Sequence, residues 1–255
     1  TPRSHPPESH AEATPATAGT VAPMVAVPSL VVNKPGLGVR ALGLVSPGVR
    51  RVSAQIRPYT EWWNEQNHDA AGGDGPLWVV VGDSTAIGIG ASAPDLGYVG
   101  LILAALRSRD PGWRVVNLAM SGARVADGLT RQLPILTGLP DPDLVTMCLG
   151  SNDVFWERST SLRDDLQQMV SRLPEHAIVA NVAGVSERAR LANRALRSAT
   201  AEHGLRSINP WNEPGIDRAL RLAEDRFHPN DLGYAYMSQA FARTLDVPGP
   251  RLPGG

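Results

Sequence analysis

A chain of 255 residues carrying 24 Lys plus Arg against 25 Asp plus Glu has a formal charge of -1, with no basic excess for a nucleic-acid backbone and no acidic tail. The one cysteine, Cys148, excludes an intramolecular disulfide framework, and its place in the apolar run LVTMCLG reads as a buried, inert thiol. The six histidines fall into no HxH, HExxH or Cys/His spacing, which argues against a metal centre, and no apolar run reaches the roughly 18 residues of a membrane span.

The first 20 residues, rich in Pro, Ala and Thr, hold too little apolar surface to offset their ordering entropy and are expected to form a flexible tail. From Val21 to Val49 the chain is apolar but broken by Pro23, Pro28, Pro35 and Pro47, which suits extended pieces better than a helix. Gly48 to Asn67 admits a helix with Val49, Val52 and Ile56 on one face until Pro58 interrupts; Tyr59, Trp62 and Trp63 follow. Residues 21–76 are therefore expected to be an arm docked on the main domain through these aromatics. The competing reading is a substrate-covering element or a peripheral membrane contact. His68 to Gly75 reads as the linker between arm and domain. The first residue is not Met, so cytoplasmic and exported or envelope-associated settings both stay open, as does oligomeric state.

Leu77 to Val81 is a β-branched apolar run that ends at Gly82-Asp83-Ser84-Thr85, where a helix capped by Ser or Thr is expected to begin. Alternation continues with a helix over Leu96–Arg109, a strand over Trp113–Met120, a helix from Val125 to about Leu136 and a strand over Leu144–Leu149. A helix over Leu162–Leu173, a strand over Ala177–Val182, a helix over Arg188–His203 and a short strand over Leu205–Asn209 complete the series. Asn230 is placed to cap a last helix over Asp231–Leu245, with Leu232, Ala235, Tyr236 and Phe241 toward the sheet. Such alternation specifies a three-layer α/β/α sandwich on a mainly parallel sheet of about five strands, here 77–247, leaving 248–255 as a tail. Functional groups gather at the carboxyl ends of such strands, and Ser84, Gly122 and Asn152 each follow a different one.

Near the far end, Asp225-Arg226-Phe227-His228-Pro229 pairs a candidate base with a candidate orienting acid. A spacing of three residues brings a carboxylate and an imidazole to one side of a turn, and Pro229 keeps His228 extended, outside the following helix. Taken in order, GDSTAIG at 82–88, SG at 121–122, GSND at 150–153 and DRFHP at 225–229 resemble the SGNH hydrolase superfamily, the GDSL esterases and lipases, over 78–245. That resemblance implies an SGNH-type, flavodoxin-like fold, with Ser84 as nucleophile, His228 as base and Asp225 orienting it. It also implies an oxyanion hole made of the Ser84 and Gly122 amides and the Asn152 carboxamide. Thr85 stands where the older motif has Leu.

Val154, Phe155, Trp156 and Phe227 flank these residues and are expected to wall an acyl pocket, although packing against neighbouring helices would explain them equally well. Asp153 either steadies its loop or is exposed, and is left out of the catalytic set. Gly88-Ile89-Gly90 lacks the third glycine of a dinucleotide fingerprint and no phosphate-binding GxxxxGK[ST] occurs, so no cofactor is implied. The resulting expectation is a cofactor-independent serine esterase acting on an acyl ester of a lipid, a carbohydrate or another small alcohol. Acyl transfer to a hydroxyl, thioester or lysophospholipid hydrolysis, and an idle envelope scaffold are the alternatives.

Overall fold

The structure, a computed structural model, describes residues 28–29, 46–156, 161–214 and 217–252. The expected tail at 1–20 and nearly all of the extended stretch at 21–45 lie outside these residues. At the described amino end, α1 (Pro47–Ala54) is capped by the Ser46 hydroxyl and turns at Gln55 into α2 (Ile56–Ala71). Pro58 does not interrupt it: it occupies the first turn of α2, where a missing N–H costs no helical bond. The helix also runs on through His68–Ala71, so the stretch expected to be linker is reduced to Gly72 through Pro76.

Five strands follow, β1 (Leu77–Gly82), β2 (Arg114–Asn117), β3 (Leu144–Cys148), β4 (Ile178–Ala180) and β5 (Arg206–Ile208), all parallel in the order β2-β1-β3-β4-β5. Between them run α3 (Ser84–Ile87), α4 (Tyr98–Arg107), α5 (Val125–Asp127), which passes through a π-type turn at Gly128–Gln132 into α6 (Leu133–Leu136), then α7 (Ser151–Trp156), α8 (Leu162–Val170) and α9 (Glu187–Glu202). The last helix, α10 (Asp231–Leu245), is capped by the Asn230 side chain.

Pleating divides the core. Val79 and Val81 of β1 join Met147, Leu166, Met169 and Leu196 on the α8/α9 face, while Trp78 and Val80 join Tyr98, Ile102, Trp63 and Phe241 on the face covered by α2, α4 and α10. The aromatics of α2 thus point inward: Trp63 is fully buried and donates its indole N–H to Ile87 O at 2.9 Å, and the buried Tyr59 hydroxyl reaches Ala91 O at 2.8 Å. On α10 the face agrees with expectation at Phe241 and differs elsewhere. Tyr234, Met237 and Phe241 meet the sheet, whereas Leu232 and Ala235 are only half-buried.

At the β2 edge, the carboxamide of Asn67 stands in for another strand. It donates to Asn117 O at 2.9 Å and accepts from Asn117 N at 2.7 Å, so the edge offers these groups to no other chain.

Candidate active site

The sheet order reverses at β1, since β2 lies on one side of it and β3 on the other; such a switch point opens a crevice at the carboxyl ends. Gly82 is gripped there by the buried Gln132, whose carboxamide accepts from Gly82 N and donates to Gly82 O, each at 2.9 Å. The next residue, Asp83, is the helix cap that sequence reasoning gave to Ser or Thr: its carboxylate accepts from Thr85 N at 2.9 Å. Ser84 is then the first residue of α3, with its amide among those a helix start leaves unbonded. Burial pushes the Asp83 carboxyl up from its ordinary value, opposed by the bonds from Thr85 and by the charge of His228.

The other half sits on a closed loop. Leu222 and Pro229 bridge as an antiparallel pair, Ala223 N donates to His228 O at 2.8 Å, and the Asn230 carboxamide donates to Leu220 O and Leu222 O. Within it, Asp225 accepts from the amides of Phe227 at 3.0 Å and His228 at 3.1 Å, while its second oxygen lies 2.6 Å from His228 Nδ1. Arg226 takes a left-handed conformation, φ 56°, to make this turn. Burial by itself would raise the Asp225 carboxyl, but the His228 hydrogen bond and charge, with the two amides, outweigh it and hold the group below its usual range. An ionised carboxylate only accepts, so Nδ1 carries the ring proton and Nε2 presents a lone pair. That lone pair faces Ser84 Oγ at 2.9 Å.

Asn152 lines the same crevice, whereas Gly122, on the loop after β2, is not among the residues lining it. Gly122 has φ 72° with open space where a side chain would stand, a conformation that bares its backbone at small cost only for glycine. Asn152 is buried at the start of α7; its Nδ2 donates to Ala123 O at 2.9 Å and makes a longer 3.4 Å contact with Asp83. Asp153, left out of the site by sequence, is buried and accepts from Val125 N at 3.1 Å, so it ties the loop after β2 to the one after β3.

A cavity of about 360 Å³ opens on Ser84, Asn152 and His228. Of the expected walls, Phe155 and Phe227 line it, stacked edge to face at 5.3 Å, with Phe227 in turn edge to face on His228 at 4.9 Å. Val154 instead packs toward the α8/α9 core and does not line the cavity, because successive helical residues point some 100° apart. The side chain of Trp156 lies outside what the structure describes. Sequence reasoning missed Trp211, Tyr236 and Arg221. The Trp211 indole donates to Asn181 O at 2.6 Å, and the Arg221 guanidinium lies 3.9 Å above the Tyr236 ring. These residues come from the loop after β5 and from α10, and only the Pro- and Trp-rich composition of that loop marked it. Cys148 is buried and its thiol is pushed well up by desolvation, so it stays protonated and inert.

A hydroxyl facing an imidazole that is itself held by an ionised carboxylate, at the carboxyl edge of a parallel α/β/α sheet, is the arrangement of a serine hydrolase. A family model described as "GDSL-like Lipase/Acylhydrolase family" matches residues 80–236, and the chain belongs to that family of serine-dependent carboxylic ester hydrolases. Esterase TesA of Pseudomonas aeruginosa is 40% identical over 75 residues, which are 29% of this chain and only 36% of that esterase. Among solved structures, one of TesA superposes with a TM-score of 0.57 at 23% identity, covering 66% of this chain and 97% of the other. LAE5, titled an alpha/beta hydrolase enzyme from the metagenome of Lake Arreo, Spain, gives 0.56 at 25% identity over 68% and 96%. A lipase/acylhydrolase from Enterococcus faecalis gives 0.54 at 20% identity over 69% and 99%, a likeness of fold.

Proposed function

We propose that the protein hydrolyses O-acyl esters through a Ser84 acyl-enzyme, with His228 as general base and then acid, and Asp225 as the group that fixes its tautomer. The observation that carries this reading is the unbroken line from Asp225 Oδ2 through His228 to Ser84 Oγ, with spans of 2.6 and 2.9 Å. As Oγ attacks the carbonyl carbon, its proton passes to His228 Nε2. The carbonyl oxygen becomes negative opposite the Ser84 and Gly122 amides and the Asn152 carboxamide. Collapse expels the alcohol, protonated by His228, and water activated by the same ring releases the acid. A 360 Å³ cavity with Phe155 and Phe227 on its wall is at the small end of ligand pockets, which favours short to medium acyl chains. On this reading 77–247 is the hydrolase unit.

The test is turnover of p-nitrophenyl esters of increasing chain length by the wild type and by Ser84→Ala. Activity that is present in the first, absent in the second and greatest for short to medium acyl chains is the expected result. Equal turnover by Ser84→Ala would refute the assignment.

A further inference from the structure

The family match begins at residue 80, yet α1 and α2 lie against both loops that meet in the site. Residues Ile87 to Ser92, from the last residue of the Ser84 helix onward, form a shelf under the histidine loop. A Cβ placed on Gly90 would come within 2.9 Å of His228 Cβ, so shelf and catalytic residue are in direct contact. The shelf is held largely from the amino-terminal side. Gln55, at the turn between α1 and α2, accepts from Gly90 N at 2.8 Å and donates to Ala91 O at 2.9 Å. Ala91 O also accepts from Tyr59, and Ile87 O from Trp63. On the other loop, Arg51 of α1 pairs with the carboxylate of Glu224, the neighbour of Asp225, and Gly48 lies against the Glu224 backbone. Tyr234 and Asp231 of α10 secure the remaining shelf groups, Ile89 O and Ser92.

We propose that the α1–α2 pair is a positioning element for catalysis, and that Gln55 is its chief residue, fixing the shelf that sets the distance from His228 to Ser84. This rests on the serine-esterase reading above. Gln55 touches no reacting atom. It acts because one planar carboxamide satisfies a donor and an acceptor on consecutive shelf residues, and a displacement of about 1 Å in such an assembly costs on the order of a hundredfold in rate.

The experiment compares the full-length wild type with Gln55→Met, which keeps side-chain length but removes both bonds. One measurement is p-nitrophenyl butyrate turnover. The other is labelling by a fluorophosphonate, in which the Ser84 Oγ–P bond forms, the P–F bond breaks, fluoride leaves and His228 takes the hydroxyl proton. Gln55→Met is expected to lower kcat by about tenfold or more with KM within about twofold, and to slow labelling by a similar factor while still reaching one label per chain. A purely structural role would instead reduce the number of sites labelled without slowing those that remain, and that result overturns the proposal. So does an unchanged kcat, or a change confined to KM.

Arg57→Met is the control, since Arg57 is exposed and, among the described residues, pairs with the exposed Glu61; equal slowing there also overturns the proposal. Should Gln55→Met yield no folded protein, Tyr59→Phe removes a single shelf bond and is judged by the same readings, with a smaller slowing expected. A wild type that neither hydrolyses esters nor labels at Ser84 refutes the esterase reading itself. A wild type that labels normally beside an indifferent Gln55→Met refutes only the positioning role.

Discussion

Replacing Asp225 by Asn tests the tautomer argument with almost no change of shape. One Asp225 oxygen serves two amide donors, at 3.0 and 3.1 Å, and the other serves His228 Nδ1. In the Asn variant the single carbonyl oxygen must stay with the two amides, because an NH2 group there would face two donors. The NH2 is then left against Nδ1, which has to present its lone pair, so the ring proton moves to Nε2 and points at Ser84 Oγ. The base is lost while every heavy atom stays in place. Inversion of this kind costs about 10⁴ in kcat in comparable triads, which is about 5 kcal/mol in the barrier. Steady-state turnover of p-nitrophenyl butyrate at neutral pH measures it, with circular dichroism to verify the fold. Retention of more than about a tenth of kcat by a folded Asp225→Asn would refute the reasoning, since proton placement on His228 would then not depend on the carboxylate.

On the proposed oxyanion role, Asn152→Ala is expected to lower kcat by about 10²–10³ with little change in KM, since such a donor acts mainly in the transition state; initial-rate kinetics decide it. The depressed carboxyl of Asp225 contributes stability that is fully present above its ordinary value of 3.8 and is lost as pH falls through its lower folded value. Urea-unfolding midpoints taken at decreasing pH should therefore show the gap between wild type and Asp225→Asn closing as pH falls below 3.8. Asn67→Ala removes both partners of Asn117 at the sheet edge and should cost about 2 kcal/mol in chemical denaturation. It should also raise the tendency to self-associate, read by light scattering.

The alternation of strands and helices was legible because β-branched runs such as Leu77–Val81 and helical spacings such as that of α9 are local signals. Strand ends were less so. Trp113–Met120 was read as one strand, while the regular pairing covers only Arg114–Asn117, although Leu118 N and Met120 N still reach Val80 O and Gly82 O. On α10 the expected face is right at Phe241 but misses Tyr234, a buried ring whose hydroxyl finds its partner, Ile89 O, 145 residues away along the chain. Three of the four motif blocks, those at 82–88, 150–153 and 225–229, carry residues that line the crevice, each being a short stretch whose chemistry and backbone demand coincide. Trp211 and Tyr236 carried no such local mark, since only the folded path of the chain brings them to the cavity. The same holds for Gln132 and Gln55, whose partners lie 50 and 36 residues or fewer away and are backbone atoms.

Carboxamides that embrace main-chain atoms divide the constraints on the residues around them. Gln55, Asn67, Gln132 and Asn193, the last joined to both backbone groups of Val182, admit few replacements, because neither an acid nor an aliphatic chain offers a donor and an acceptor in one plane. The residues they hold meet a different limit. The grip is blind to what Ala91 or Val182 carries beyond Cα, but both side chains are buried in the core, so packing and not hydrogen bonding restricts them to apolar groups of similar size.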